Sequence, residues 1–203
     1  MIRQAISSTD VLNPFKLFER VGLRRGAWVA DLGCGSTGHF VFPAAQMVGA
    51  DGRVFAVDIR KNALQAIDKA ARHEHFWNIE TIWSDIEVVG AARIPDASLD
   101  LTLVVDNLYL AENRDGLIQE AWRVTKPCGM LVCIEWMPDK TLLGPPGDRR
   151  LAQNEAERMW ERHGWLAVDA FQAGEFHYAL VYQRQTQEPL VKVGHVALPL
   201  TEH

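Results

Sequence analysis

The sequence contains no apolar run of the roughly 20 residues needed to cross a bilayer. Arg3 stands near the N-terminus, but no apolar signal core follows it, so a cytoplasmic protein is expected. Cysteine is scarce. Cys34, Cys128 and Cys133 are odd in number, lack the paired spacing of a zinc site and sit in apolar or turn segments. That pattern excludes a disulfide scaffold and fits a reducing compartment. There is no basic stripe, and the net charge is −5, which disfavours nucleic acid as a partner. Repeats and low-complexity tracts are also missing, so solenoid and fibrous architectures drop out. The 203 residues suffice for one domain with a substantial core, and 1–203 is read as one.

What the chain does have is a short apolar run into a glycine-rich turn: Val29, Ala30, Asp31, Leu32, Gly33, Cys34, Gly35, Ser36, Thr37, Gly38. The next apolar run, Arg53 to Asp58, ends in a carboxylate. A glycine turn paired with an acid at the next strand end is how α/β proteins hold an adenosine-containing ligand. Gly33, Gly35 and Gly38 satisfy G-x-G-x-x-G, and 58 − 38 = 20 residues separate the last glycine from Asp58, as in dinucleotide sites. Asp31 argues for a different ligand. A pyrophosphate seeks backbone N–H groups at a helix N-terminus and would be repelled by an adjacent carboxylate. S-adenosylmethionine (SAM) instead presents an α-ammonium and a sulfonium, both cationic, which a carboxylate attracts. Asp58 would then accept both ribose hydroxyls, with Ile59 against the adenine face. The competing readings are a turn or helix-cap role for Asp31, a loop acid for Asp58 and core packing for Ile59.

Asp31 through Gly38 resembles motif I of the class I SAM-dependent methyltransferases. The chain is similar to their small-molecule group, related to the ubiquinone/menaquinone C-methyltransferases, from about Asn13 to about Gln183. The resemblance implies a cofactor site made by Asp31, Gly33, Cys34, Gly35, Gly38, Asp58 and Ile59. It also implies that Asp85, flanked by Ser84 and Ile86, takes the adenine amine, although an N-cap role for Asp85 competes. It further implies that residues 1–25 form part of a lid over the cleft. The acceptor stays open, because that group methylates carbon, nitrogen, oxygen and arsenic. Nothing links Cys34 to Cys128 or Cys133, so no thiol site for arsenic is expected.

Residues 1–25 read as amphipathic and helical, with caps at Ser8, Thr9 and Asp10 and a start at Pro14. Strands are expected over 27–32, 53–58, 76–83, 99–105 and 130–136. Helices are expected over 39–48, 62–73, 114–125 and 149–163. Lys126, Pro127, Cys128 and Gly129 form a helix stop. Residues 137–148 hold too many prolines and glycines for regular structure and lie where a ligand loop belongs. A closing hairpin spans 165–170 and 176–183. The tryptophans read mostly as core or helix–sheet contacts, with Trp136 the one placed to line a pocket. Alternating strands and helices imply a parallel sheet covered on both faces. Together with the resemblance, this gives a Rossmann-like, doubly wound, mostly parallel seven-stranded sheet with an antiparallel last strand, in three α/β/α layers. Winding reverses between the first and fourth strands, and the crevice belongs there. The tail over 184–203 has an apolar stretch, 190–200, that has no place in this scheme and is the first candidate for a homodimer contact.

Asp106 and Asn107 follow the fourth strand and face the methionine end of the cofactor and the acceptor. Asp106, His39 and Glu135 are the candidate bases, against readings as a loop cap and a structural histidine. Methyl transfer needs little covalent help, since an acceptor held in line and kept dry gains about 7–11 kcal/mol from positioning. The sequence therefore reads as a methyltransferase that moves a methyl group from SAM to a small-molecule acceptor, leaving S-adenosylhomocysteine. The alternatives are a protein or RNA methyltransferase, a nicotinamide oxidoreductase built on the same glycines, and a SAM-binding protein without activity.

Overall fold

A computed structural model describes residues 12–139 and 142–186. Ser8, Thr9, Asp10 and Val11, the apolar stretch 190–200 and the dimer contact expected of it lie outside these residues. The strands are β1 (Trp28–Leu32), β2 (Arg53–Asp58), β3 (Ile79–Trp83), β4 (Leu99–Val105), β5 (Thr125–Trp136), β6 (Trp165–Ala173) and β7 (His177–Arg184). They form one sheet in the order β3-β2-β1-β4-β5-β7-β6. The first five are parallel, and β7 runs antiparallel to both β5 and β6. The chain winds outward from β1 through β2 to β3, then crosses to β4 on the other side of β1, so the switch point falls between β1 and β4 as expected.

Near-continuous apolar runs make the central strands, because both faces are covered. One face carries Ala30, Leu32, Phe55, Val57, Val104 and Leu131. The other carries Val29, Val54, Ala56, Leu101, Leu103 and Val132. The covering helices are α1 (Pro14–Arg20), α2 (Val41–Val48), α3 (Lys61–His73), α4 (Arg114–Val124) and α5 (Gln153–Arg162). No helix among the described residues is long and apolar enough to cross a membrane.

Several boundaries depart from the sequence reading, each for a local reason. Within the described part of 1–25 only Pro14–Arg20 is helical. It is capped by the Asn13 side chain, which accepts from the Lys16 N–H at 3.2 Å, and it ends before Gly22 at φ 70°. The helix expected from His39 starts at Val41, after the glycine turn has finished. β3 starts at Ile79 rather than Phe76. Asn78 turns its side-chain amide onto the carbonyls of Ala45 and Gly49 (2.8 and 2.9 Å), and His75 sits at φ 59°. Trp77 and Trp83, on or beside this edge strand, are exposed rather than packed in the core. The helix stop at 126–129 does not interrupt β5 but bulges from it. Pairing jumps from Leu99↔Thr125 to Leu101↔Met130, with Cys128 at φ 63°. The last helix begins at Gln153, not Arg149. The almost buried Arg150 guanidinium donates to the carbonyls of Met137 (2.7 Å), Pro145 (2.9 Å) and Leu143, which holds its own backbone extended.

One anchor had no sequence signature. Glu120 on α4 is fully buried. It accepts from the N–H groups of Gly90 (2.7 Å) and Ala92 (3.3 Å) and from Arg123, whose Nε and Nη2 lie at 2.8 and 2.7 Å. Arg123 in turn donates to the carbonyls of Ala92 and Ile94, so the pair pins the segment leading into β4. Removing one partner of a buried pair strands the other charge. Glu120→Ala is expected to lower the free energy of unfolding by about 3–5 kcal/mol, measured by chemical denaturation.

Candidate active site

The C-terminal ends of β1, β2, β4 and β5 open onto two adjoining cavities. The first, about 530 Å³, is lined by Asp31, Gly35, His39, Asp106, Trp136 and His177, among others. The second, about 550 Å³, is lined by Asp58, Ile59, Asp85, Ile86, Glu87 and Ala111, among others. Gly33, Arg60, Asn107 and Leu110 belong to both and stand between them. Gly33 has φ 86°, and a Cβ there would lie 2.4 Å from the Asn107 amide. That approach is used: Asn107 Nδ2 donates to the carbonyls of Leu32 (3.2 Å), Gly33 (3.1 Å) and Val105 (2.6 Å). Asn107 thus clamps the β1 turn to the end of β4, an organising role beside the ligand-facing one expected of it. Gly38, at φ 61°, lets Phe42 and Ile67 pack where a Cβ would sit.

Asp31 is the unusual group. It lies one residue before the end of an otherwise apolar strand, is 2% exposed, and its buried Oδ1 has no hydrogen-bond partner among the described residues. Burial, and then the neighbouring Asp58 charge, pushes its carboxyl up to about 7. Asp58 stands at the end of β2 as expected, with both oxygens engaged. Oδ2 accepts from Gly35 N (2.9 Å) and Arg60 Nη2 (3.1 Å), and Oδ1 accepts from Arg60 N (2.8 Å) and Nε (3.1 Å). Burial opposes ionisation here, but the Arg60 hydrogen bonds outweigh it and hold Asp58 below the usual carboxylate range. Arg60 was not expected at the site. Its side chain is 61% exposed, so the pair adds little stability, and the guanidinium can leave Asp58 free for a ligand.

The other expected residues divide between ligand-facing and structural roles. Ile59 is exposed over the second cavity, and its carbonyl accepts from Trp83 Nε1 at 2.8 Å. Asp85 lines the second cavity with Ser84 buried beside it; it accepts from Glu87 N (2.9 Å) to close a turn, and no helix starts there for it to cap. Cys34 is buried in the turn; Cys34, Cys128 and Cys133 are all free. His39 reaches the first cavity, but its Nε2 lies 2.9 Å from the Leu12 carbonyl, tying the segment before α1 to the cleft. This engagement favours the structural reading of His39 over the catalytic one. Leu12 itself lines the first cavity, in keeping with a covering segment.

Asp106 and Glu135 are brought together. Asp106 follows β4 at φ 54°, a left-handed conformation that Asp and Asn tolerate better than other residues with a Cβ. Glu135 is 1% exposed; its Oε1 accepts from Leu108 N (2.8 Å) and Tyr109 N (3.3 Å), and Oε2 has no partner. Burial, then the Asp106 charge, pushes Glu135 up to about 8 despite those N–H donors. Sequence reasoning missed His177, whose Nε2 lies 3.4 Å from Asp106 Oδ2. The available signal was direction: β7 is antiparallel, so its first residues lie at the ligand end of the sheet, with His177 opposite Trp136.

The sequence profile of the methyltransferase domain matches residues 23–184. The chain belongs to the methyltransferase-domain family. It is 30% identical over 154 residues to an arsenite methyltransferase of Aquipseudomonas alcaligenes, covering 69% of this chain and 44% of that protein. It is 27% identical over 126 residues to a demethylmenaquinone methyltransferase of a Geobacillus species, covering 62% and 52%. The chain thus spans about half the length of the curated relatives it matches. Its fold matches the crystal structure of a SAM-dependent methyltransferase from Aquifex aeolicus, with a TM-score of 0.79 and 21% identity over 86% of this chain and 91% of that one.

In this methyltransferase domain the raised Asp31 makes a prediction about the ligand-free protein. An acid whose folded-state value lies above its ordinary one stabilises the fold while protonated, and that contribution is lost as pH rises from about 4 through about 7. At pH 8 the buried carboxylate therefore destabilises the fold, and Asp31→Asn should melt higher than the parent protein. At pH 4 the difference should vanish. Calorimetric melting at the two pH values checks this, with each kcal/mol raising Tm by roughly 2–4 °C.

Proposed function

We propose that the chain is a SAM-dependent methyltransferase acting on a small molecule, with S-adenosylhomocysteine as the second product. The observation that carries this reading is Asp31: a buried carboxylate with an unpartnered oxygen beside a glycine turn, a place a cation stabilises and a diphosphate does not. The residues fit SAM across both cavities. Asp31 faces the cationic amino-acid end. Asp58, once Arg60 moves aside, takes the ribose hydroxyls, and Ile59, Ser84, Asp85 and Ile86 surround the base. Bound there, SAM supplies a methyl group on a sulfonium, already an activated leaving group.

The chain's own part is to hold, orient and dry the acceptor. The first cavity has the size of a small-molecule site, and Leu12, Phe40, Val105, Leu110 and Trp136 make it largely apolar. Trp136 is held from two sides. Arg150 stacks over its ring at 5.3 Å, and Gly144 lies so close that a Cβ would come within 2.6 Å of it. The breaker-rich segment after β5 therefore builds a wall of the pocket. Asp106 is the group best placed to receive a proton from the acceptor, and Glu135, mostly protonated at neutral pH, leaves the negative charge there. The three free cysteines support a cytoplasmic setting.

Titration calorimetry with SAM and with NAD tests the reading, which falls if NAD binds tightly and SAM does not. Asp58→Ala should weaken SAM by about 10- to 100-fold, the value of charged hydrogen bonds of about 1.5–3 kcal/mol, while Arg60→Ala should not weaken it. SAM affinity should also decline as pH falls through about 7, by up to about tenfold per pH unit, because only ionised Asp31 attracts the cation. In Asp31→Asn the affinity should be low and the part of the pH dependence due to this residue absent.

A further inference from the structure

His177 is 2% exposed, and neither ring nitrogen has a hydrogen-bond partner among the described residues. Buried polar groups are rarely left so, since burial without a partner costs free energy. A histidine kept only for packing would be bonded to the backbone, as His39 and His163 are. His177 is instead held by shape. The Trp136 ring packs on it at 4.1 Å, and Trp136 is fixed from its other side by Arg150. Its Nε2 lies 3.4 Å from Asp106 Oδ2, too far and too poorly aligned for a good hydrogen bond but right for an ion pair once the ring is charged. Asp106 Oδ1 is also unpartnered.

β4 presents the Asp106 carboxylate, and β5 presents Trp136 directly opposite the ring, with Glu135 on the other face of the sheet opposite Tyr178. β6 presents the uncharged Ala173. Beyond Trp136 lies Arg150, whose guanidinium is bound to the carbonyls of Met137, Leu143 and Pro145. The same cavity holds Asp31, His39 and Arg60 farther along its wall. An imidazolium at position 177 would therefore meet the Asp106 carboxylate directly and, among the described residues, no cation in contact.

We propose that His177 is the positioning residue behind Asp106, forming with it a pair that takes up the proton released by the acceptor as it is methylated. Asp106, a third exposed, faces the acceptor, and His177 Nε2 is the place where the proton rests. The balance closes: the acceptor atom bonds to the methyl carbon, the methyl–sulfur bond breaks with its electron pair on sulfur, and the acceptor's proton ends on the imidazole. One positive charge leaves the sulfonium and one appears on His177, so the buried site keeps its net charge. The inference rests on the SAM reading, and it means that the acceptor carries hydrogen on its reacting atom.

The test is a titration of the full chain with ring-labelled histidine, followed by nuclear magnetic resonance from pH 5 to 9, with His177→Gln identifying the signal. In Asp106→Asn, where Asn tolerates the same left-handed backbone, the His177 midpoint should fall, because the carboxylate facing the ring is gone. In the parent protein the midpoint should be higher with S-adenosylhomocysteine than with SAM, because the sulfonium repels the imidazolium. A midpoint indifferent to both changes, or a ring that never titrates, overturns the pair. Calorimetry on the same samples separates this outcome from failure of the SAM reading, which would show as no SAM binding while the response to Asp106→Asn persisted.

Discussion

A single carboxylate, Asp31, is enclosed where the apolar strand β1 meets the glycine turn. The fold tolerates it at a cost in stability, because burial opposes its charge and Asp58 lies nearby with a charge of the same sign. Among the described residues nothing bonds its buried Oδ1. A buried carboxylate with a free oxygen beside a glycine turn is a place that a cation stabilises and a diphosphate does not, and the SAM reading proposed above rests on that.

The rest of the site is arranged around that turn by a few rigid ties. Asn107 binds three carbonyls across the switch point and allows β1 and β4 to act as one wall. Asp58 holds Gly35 from the side of β2. Glu135 bonds to the backbone just beyond Asn107 and fixes the loop that carries Asp106. Apart from the Asn107–Val105 bond, each tie joins residues far apart in sequence, and each is made by a polar side chain at a strand end, where the sheet can no longer satisfy the backbone itself. Asp58 and Asn107 thus organise the turn as well as lining the cavities.

The local pattern of residues was sufficient for most of the framework. Both-face burial made Val29 to Leu32 and Val54 to Val57 legible as parallel strands, and the order of elements placed the switch point. The glycine spacing and the acids after β1 and β2 marked the ligand end. Boundaries failed where a distant side chain competed with local propensity. Arg150 holds its own segment extended, Asn78 shortens β3, and the Pro-Gly stop becomes a bulge because β4 continues beside it. His39 was open to a catalytic and a structural reading from its position, and its contact with the segment before α1 supports the structural one.

The sequence by itself determined the fold class, the cleft and the sign of the charge that waits in it, because these depend on periodicity, glycine spacing and residue type within short stretches. Only the tertiary structure decided which polar groups meet: Arg60 on Asp58, Arg150 behind Trp136, His177 beside Asp106. The physical reason is that pairing across a sheet depends on strand order and direction. The antiparallel return of β7 carries a residue from near the end of the chain to the mouth of a site begun at residue 31.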